Sequence, residues 1–80
     1  MDMEYMILFF THSGAIKFKR KCNRKDIECE LMPVPRSLSS NCSISARICT
    51  RKDIGELIDD EVEKVFLIKD NYNKLVYEGQ

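Results

Sequence analysis

The sequence predicts a small α+β domain, because short apolar segments of strand length alternate with segments in which apolar residues recur at helical spacing. The 80 residues leave room for one domain, taken as residues 1–80. Apolar residues make up 44% of the chain and charged residues 32%. This is the composition of a globular protein, and it excludes the disordered and low-complexity classes.

The first half of the chain predicts a strand, a helix and a second strand. Residues 5–10 form a continuous apolar run, which is typical of a central strand buried on both faces. Residues 11–13 offer side chains that cap a helix, and an apolar stripe over residues 15–23 continues that helix. Apolar and polar residues alternate over residues 27–32, which predicts a second strand that ends at Pro33.

The second half predicts a strand, a second helix and two further strands. Residues 36–43 are rich in turn formers and indicate a loop, and residues 44–48 alternate as a third strand. Residues 50–62 begin with a capping threonine and carry an apolar stripe at helical spacing, which predicts a second helix. An apolar fourth strand over residues 65–68 and a short last strand over residues 75–77 complete the pattern.

The order strand, helix, strand, strand, helix, strand (βαββαβ) is the split βαβ or ferredoxin-like pattern, an antiparallel sheet with two helices on one face. The right-handed crossover rule makes the first two strands parallel, with the third inserted antiparallel between them. The carboxyl ends of the first two strands then lie at the same edge of the sheet. We therefore expect residues 11–13 to approach the loop that follows Pro33.

Charge is balanced overall but not locally. The 13 basic and 13 acidic side chains cancel, so no overall field attracts nucleic acid or an anionic membrane. Basic residues concentrate in residues 17–25 and acidic ones in residues 56–63, so we expect the two predicted helices to face each other with opposite charges, each exposed pair contributing about 0–1 kcal/mol. A nucleic-acid interface on the first helix has less support, because Phe18, its aromatic residue, belongs to the apolar stripe.

The sequence offers no membrane segment and no export signal. The longest apolar run, residues 5–10, is too short to span a bilayer. Residues 1–4 lack the cationic start of a signal peptide. We therefore expect a cytoplasmic protein with reduced thiols and no membrane partner.

The four cysteines differ in the structural roles that the pattern gives them. Ligand pairs in structural zinc sites are usually about two to four residues apart, whereas Cys22 and Cys29, like Cys42 and Cys49, are seven apart, which gives little support for a metal site. Cys22 and Cys29 lie on apolar faces and are expected in the core. Cys49 precedes the capping Thr50 and is expected to pack as a hydrophobic staple.

Cys42 has no such role, because it lies in a predicted polar loop and does not belong to any regular pattern of apolar residues. A thiol becomes a nucleophile when cations, an imidazole or helix-end amides stabilise its thiolate. The predicted fold brings His12 and the helix start from one side and Arg36 from the base of the loop, while Ser39 and Ser40 add hydroxyl donors. The pattern leaves open whether Cys42 is a passive surface thiol and His12 only a helix-start residue.

Other chemistry has less support. A Cys-His hydrolase needs a substrate cleft of roughly 300 Å³ or more, which a core this small hardly provides. The sequence contains no Gly-rich phosphate loop and no Cys-x-x-Cys pair. One imidazole and one exposed thiol suit a protein that holds an atom as a persulfide better than an enzyme that turns over a substrate, and they imply no cofactor.

A set of short motifs surrounds this cysteine. Residues 33–36 read Pro-Val-Pro-Arg, a serine-rich loop leads to Ser-Ser-Asn-Cys at residues 39–42, and Arg47 lies in the next strand. Phe-Thr-His at residues 10–12 precedes them. Over about residues 5–68 this pattern resembles a family of small bacterial selenium or sulfur carrier-like domains.

The resemblance implies that Cys42 accepts sulfur or selenium from a donor protein and passes it to an acceptor protein. It adds Thr11 and Arg47 to the candidate binding residues. In that family a glycine commonly follows the cysteine, whereas Ser43 stands here.

A second hypothesis is a non-catalytic interaction or regulatory module that acts as a homodimer. The first strand is apolar on both faces, although the two predicted helices cover only one of them. The uncovered face is expected to meet a partner, most simply a second copy of the chain. It carries one of two sets, namely Tyr5, Ile7 and Phe9 or Met6, Leu8 and Phe10.

Overall fold

The computed structural model describes residues 2–36, 38, 43–70 and 72–79 of the chain. The elements follow in the order β1 Met3–Phe9, α1 His12–Arg24, β2 Cys29–Pro33, β3 Ile44–Thr50, a 3-10 turn Ile54–Glu56, β4 Val62–Ile68 and β5 Asn73–Glu78. The five strands form one sheet in the order β2-β3-β1-β4-β5, and every neighbouring pair is antiparallel. The predicted α+β class is confirmed, and the short last strand is present as β5.

β1 lies in the middle of the sheet, as its continuous apolar run predicts. It pairs with β3 on one side, where Ile7 lies opposite Ala46, and with β4 on the other, where Ile7 lies opposite Val65. All three side chains are fully buried. Because β3 lies between β1 and β2, the carboxyl ends of β1 and β2 share one edge of the sheet.

α1 follows β1 after a two-residue connection and packs on one face of the sheet. The Thr11 hydroxyl accepts a hydrogen bond from the Gly14 backbone N–H at 3.0 Å and caps the helix. The buried stripe of α1 contains Phe18, whose ring meets that of Phe9 edge to face with 5.3 Å between the ring centres. The helix ends where the Ile27 N–H donates to the Cys22 carbonyl at 2.8 Å. No helix within the described ranges is long and apolar enough to cross a membrane.

The predicted second helix is wrong. Only the 3-10 turn Ile54–Glu56 forms where a helix over residues 50–62 was expected. Three side-chain oxygens accept hydrogen bonds from backbone N–H groups two residues further on, those of Thr50, Asp53 and Asp59 at 2.9–3.0 Å. Such local turns compete with helical hydrogen bonds. The ferredoxin-like arrangement of two helices on one face is therefore not observed in the described part of the chain.

The segment that replaces the second helix is attached to α1 by a lysine. The Lys21 Nζ donates to the Leu57 carbonyl at 3.1 Å and to the Asp59 carboxylate at 2.8 Å. Leu57 itself is buried in the core. The expected attraction between the basic helix and the acidic segment is thus present in the half-buried ion pair between Lys21 and Asp59, although the acidic segment is not a helix.

Both faces of β1 are buried within the single chain. Ile7 and Phe9 join the core beside α1, whereas Met6 and Leu8 alternate to the opposite face and are 7% and 0% exposed. That face is therefore not the open apolar surface that was expected to need a partner, and the reasoning that led to a homodimer has no support there. The exposed large apolar side chains among the described residues lie elsewhere, at Met3, Tyr72, Leu75 and Val76.

Candidate functional site

A surface groove lies where β1 and β2 end on the same edge of the sheet. Its volume is about 340 Å³, and its lining consists of His12, Leu31, Met32, Pro33, Ser43 and Ile44. His12 is the first residue of α1, directly after the capping Thr11. The sequence therefore predicted correctly that the helix start approaches the segment that follows Pro33, and His12 lines the groove together with Pro33 and Ser43.

The base of the loop is closed by main-chain and side-chain hydrogen bonds. The Val34 N–H donates to the Ser43 carbonyl at 3.1 Å, and the Ser45 hydroxyl donates to the Met32 carbonyl at 3.1 Å. Ser45 is fully buried, so this hydroxyl satisfies a polar group inside the sheet. These contacts hold the two strands that carry the loop in a fixed register.

Three of the predicted site residues lie outside the described residues, namely Cys42, Ser39 and Ser40. Ser43, the neighbour of Cys42 in sequence, lines the groove with His12. Arg36 is described at the other end of the loop, where it is exposed to solvent. Among the described residues Arg36 makes no ion pair.

Thr11 and Arg47 have structural roles in this fold. Thr11 caps α1 and also donates a hydrogen bond to the Glu61 carboxylate at 3.4 Å. Arg47 lies on β3 and does not line the groove; its guanidinium binds the Glu4 carboxylate and lies 3.7 Å from that of Glu30. The hydrogen bond to Glu4 and the charge of that carboxylate raise the pKa of Arg47. Both residues are thereby engaged with partners other than the loop.

The predicted core positions of Cys22 and Cys29 are confirmed. Both side chains are buried in the cluster beneath α1. Interaction with the neighbouring Cys22 thiol, together with burial, raises the pKa of Cys29 above its ordinary value. Cys29 therefore remains a neutral thiol at physiological pH.

The predicted packing role of Cys49 is wrong, because its side chain is exposed. Residues alternate between the two faces along β3, so Cys49 shares the wet face with Arg47 while Ile48 enters the core. Cys49 lines a cavity of about 560 Å³ that also contains Asp26, Arg51 and Lys52. The same alternation was readable in the sequence, where Arg47 and Cys49 are two residues apart.

Cys49 is far from Ser43, the neighbour of Cys42 in sequence. The six steps along the extended chain from Ser43 to Cys49 span about 20 Å at roughly 3.3 Å per residue. Any assay of Cys42 must therefore account for Cys49, which is exposed.

Alkylation of the folded protein is expected to separate these thiols. Iodoacetamide should modify Cys49 rapidly, whereas Cys22 and Cys29 should react only after unfolding, because a buried thiol is shielded from the reagent. Peptide mapping by mass spectrometry after a short exposure, with a urea-unfolded sample as the control, measures the order. Equal modification of Cys29 and Cys49 in the folded protein would contradict the burial described above.

The described residues contain no group of three or more His, Cys, Asp or Glu side chains arranged to hold a metal ion. Near the ends of the loop, the described groups that can interact with a thiolate are the imidazole of His12, the guanidinium of Arg36 and the amides at the start of α1. All three groups suit the binding of an anion.

Comparison with known proteins gives one match. The family model described as "Putative Se/S carrier protein-like" matches residues 4–72, which is most of the chain. No curated protein and no solved structure shows significant similarity to this chain.

Proposed function

The chain belongs to the Se/S carrier-like family, and from this premise we propose that Cys42 carries a sulfur or selenium atom, as a persulfide or perselenide, between a donor and an acceptor protein. The observation that carries the proposal is the groove at the sheet edge, where His12 and Ser43 share one lining. Cys42 is the residue before Ser43, so its thiol is at most a few bond lengths from that lining along the chain.

The groups around the loop support a reactive thiolate. An imidazole donates a hydrogen bond to a thiolate, and the amides of the first turn of α1 add partial positive charge. The Arg36 guanidinium supplies a full charge at the other end of the loop. Ser39 and Ser40 are proposed to add hydroxyl donors to the bound atom.

The transfer is an exchange reaction in which atoms and electrons balance. The Cys42 thiolate attacks the terminal sulfur of a cysteine persulfide on the donor. A new S–S bond forms at Cys42, the S–S bond of the donor breaks, and the donor cysteine leaves as a thiolate. An acceptor thiolate then repeats the exchange and releases Cys42. The terminal sulfur keeps its oxidation state, and with selenium an S–Se bond is exchanged in the same way.

We favour a carrier over a turnover enzyme, because one imidazole and one thiol suit the holding of an atom better than a multi-step turnover. Its proposed setting is the reducing cytoplasm, where thiols persist. The apolar lining beside His12, formed by Leu31, Met32 and Ile44, offers contact area at the position where a donor must approach Cys42.

Treatment of the reduced protein with a cysteine desulfurase, cysteine and pyridoxal phosphate is expected to add the mass of one sulfur atom to the peptide that contains Cys42. Cys42→Ser should lose this addition. Cys49→Ser, which removes the exposed thiol on β3, should keep it. Addition at Cys49 with none at Cys42, or an undiminished addition in Cys42→Ser, would refute the proposal and favour a passive interaction module.

The role of His12 is tested by the initial rate of the same loading reaction. His12→Gln is expected to slow loading several-fold, because the imidazole no longer stabilises the thiolate. Ser13→Ala, at the exposed neighbouring position of α1, is the matched control and should load at the original rate. An unchanged rate in His12→Gln would show that His12 only begins the helix.

A further inference from the structure

The helix α1 carries more positive charge than the fold itself uses. Its sequence contains several lysines and arginines and no acidic residue. Two of these cations are bound inside the molecule. The Lys19 Nζ donates to the Cys29 carbonyl at 3.1 Å, and the Lys21 Nζ donates to the Asp59 carboxylate at 2.8 Å. These contacts attach the helix to β2 and to the segment before β4, and they leave the other cations of α1 without a structural task.

The remaining cations lie on the exposed side of α1. Lys17, Arg20 and Arg24 are spaced by three and four residues, which places them on one face of the helix. All three are exposed, and none of them forms an ion pair with another described residue. Lys52 adds a charge at the helix end, because its Nζ donates to the Lys25 carbonyl at 3.0 Å. We call Lys17, Arg20, Arg24, Lys25 and Lys52 the basic ridge.

Stability alone does not explain the basic ridge. Like charges three or four residues apart on a helix repel each other and destabilise it. The helix dipole favours a cation in the last turn, where Arg24 lies, whereas Lys17 and Arg20 lie before that turn. The ridge therefore costs stability in the isolated chain, and an anionic partner would offset that cost.

We propose that the basic ridge docks a protein partner through a surface of closely spaced carboxylates. The inference goes beyond the transfer of sulfur or selenium, because it assigns a binding surface and requires no chemistry at Cys42. Since a helix rises 1.5 Å per residue, the ridge extends over about 10 Å of α1 from Lys17 to Arg24. It begins about 8 Å along the helix axis from His12, which lines the groove at the sheet edge.

The side chains of α1 favour a protein surface over a nucleic acid as the partner. The helix exposes no phenylalanine, tyrosine or tryptophan on which a base could stack, since its Phe18 is buried in the core. Ile16 is half-buried and lies one turn before Arg20 on the same side of the helix. It offers the apolar contact that protein interfaces combine with charged groups.

A border of acidic side chains limits the size of the anion that fits the ridge. Asp59, Asp60 and Glu61 line a surface cavity of about 460 Å³ together with Lys17. A nucleic acid carries a negative charge at every phosphate, so a strand that extends past the ridge meets repulsion from these carboxylates. A compact acidic patch on a folded protein occupies the ridge without reaching them.

The test is a titration of the isotope-labelled full chain with a helical peptide of glutamates and interspersed leucines, followed by NMR chemical shifts at low ionic strength. We expect the shifts to concentrate on α1 and around Lys52, and the affinity to fall as salt is added. Arg20→Glu combined with Arg24→Glu is expected to weaken binding about tenfold, because both changes replace attraction by repulsion. Arg20→Gln with Arg24→Gln should weaken it less.

Lys69→Glu combined with Lys74→Glu is the matched control. It changes the net charge by the same amount at exposed positions after β4 and on β5, and it should bind the peptide nearly as well as the original chain. Circular dichroism verifies that every variant keeps the fold.

Three results would overturn the inference. The first is the absence of shifts on α1 at low salt. The second is equal weakening in the Lys69 and Lys74 control, which would mean that net charge alone attracts the peptide. The third is tighter binding of an oligouridylate of the same net charge, which would favour a nucleic acid. None of them bears on the loading of Cys42, which the desulfurase reaction measures separately.

Discussion

Phe18→Ala is expected to destabilise the fold by about 3–5 kcal/mol, the cost of removing a large aromatic side chain from a well-packed core. Phe18 is fully buried on α1 and meets Phe9 edge to face. Aromatic pairs of this kind contribute about 0.5–1.5 kcal/mol beyond their buried area. Since small domains have a free energy of unfolding of about 5–15 kcal/mol, the loss would leave a marginal protein.

Urea denaturation followed by circular dichroism measures this difference. Lys17→Ala, at an exposed position of the same helix, is the matched control and should change the free energy of unfolding by at most about 0.5 kcal/mol. Phe18→Leu should fall between the two, because it retains most of the apolar contact. Equal midpoints for Phe18→Ala and Lys17→Ala would mean that α1 does not pack on the sheet as described.

Gly14→Ala is expected to destabilise the protein by about 1–3 kcal/mol, the usual cost of overpacking. Helix propensity alone predicts the opposite sign, because alanine is favoured over glycine by about 1 kcal/mol. A Cβ at Gly14 would lie 2.6 Å from the Glu61 Cβ, which is too close for two carbon atoms. Glu61 cannot withdraw easily, since its carbonyl accepts a hydrogen bond from the Phe10 N–H at 3.0 Å.

The prediction is checked by thermal unfolding together with a double-mutant cycle. Ser13→Ala is the control for a general effect of alanine at the helix start. Combining Gly14→Ala with Glu61→Gly removes the opposing Cβ, so the two changes should be less damaging together than the sum of their separate effects. A rise in the melting temperature of Gly14→Ala would show that helix propensity outweighs the contact.

The spacing of apolar residues correctly predicted β1 and α1, whose apolar residues form one continuous run or one stripe. The continuous run of β1 identified the central strand, and the stripe through Phe18 and Cys22 identified α1. The second helix failed because residues 50–62 contain apolar residues at helical spacing but also Thr50, Asp53 and Asp59, whose side chains bind nearby backbone amides. The spacing of apolar residues indicates which residues are buried. It does not show that polar side chains nearby can bind the backbone amides in place of helical hydrogen bonds.

The sequence predicted those parts of the candidate site whose positions follow from the strand topology. Crossover handedness placed His12 beside the ends of the loop, and the groove contains it. Arg47 was included through its place in the motif, whereas its side chain is bound by Glu4 across the sheet. Cys49 was misassigned because its position before Thr50 was given more weight than the alternation it shares with Arg47. The role of Cys42 itself stays a prediction, since it lies outside the described residues.

The central place of β1 has a consequence for folding kinetics. Its partners are far away in sequence, since Tyr5 pairs with Ile48 on β3 and with Leu67 on β4. Both neighbouring strands must be synthesised before the most apolar segment of the chain can find its pairs. Sheets built from such distant contacts fold more slowly than helical domains of the same size. During translation the apolar residues 5–10 are made early and stay unpaired until β3 and β4 have been synthesised. This strand is therefore the segment that most needs protection from aggregation.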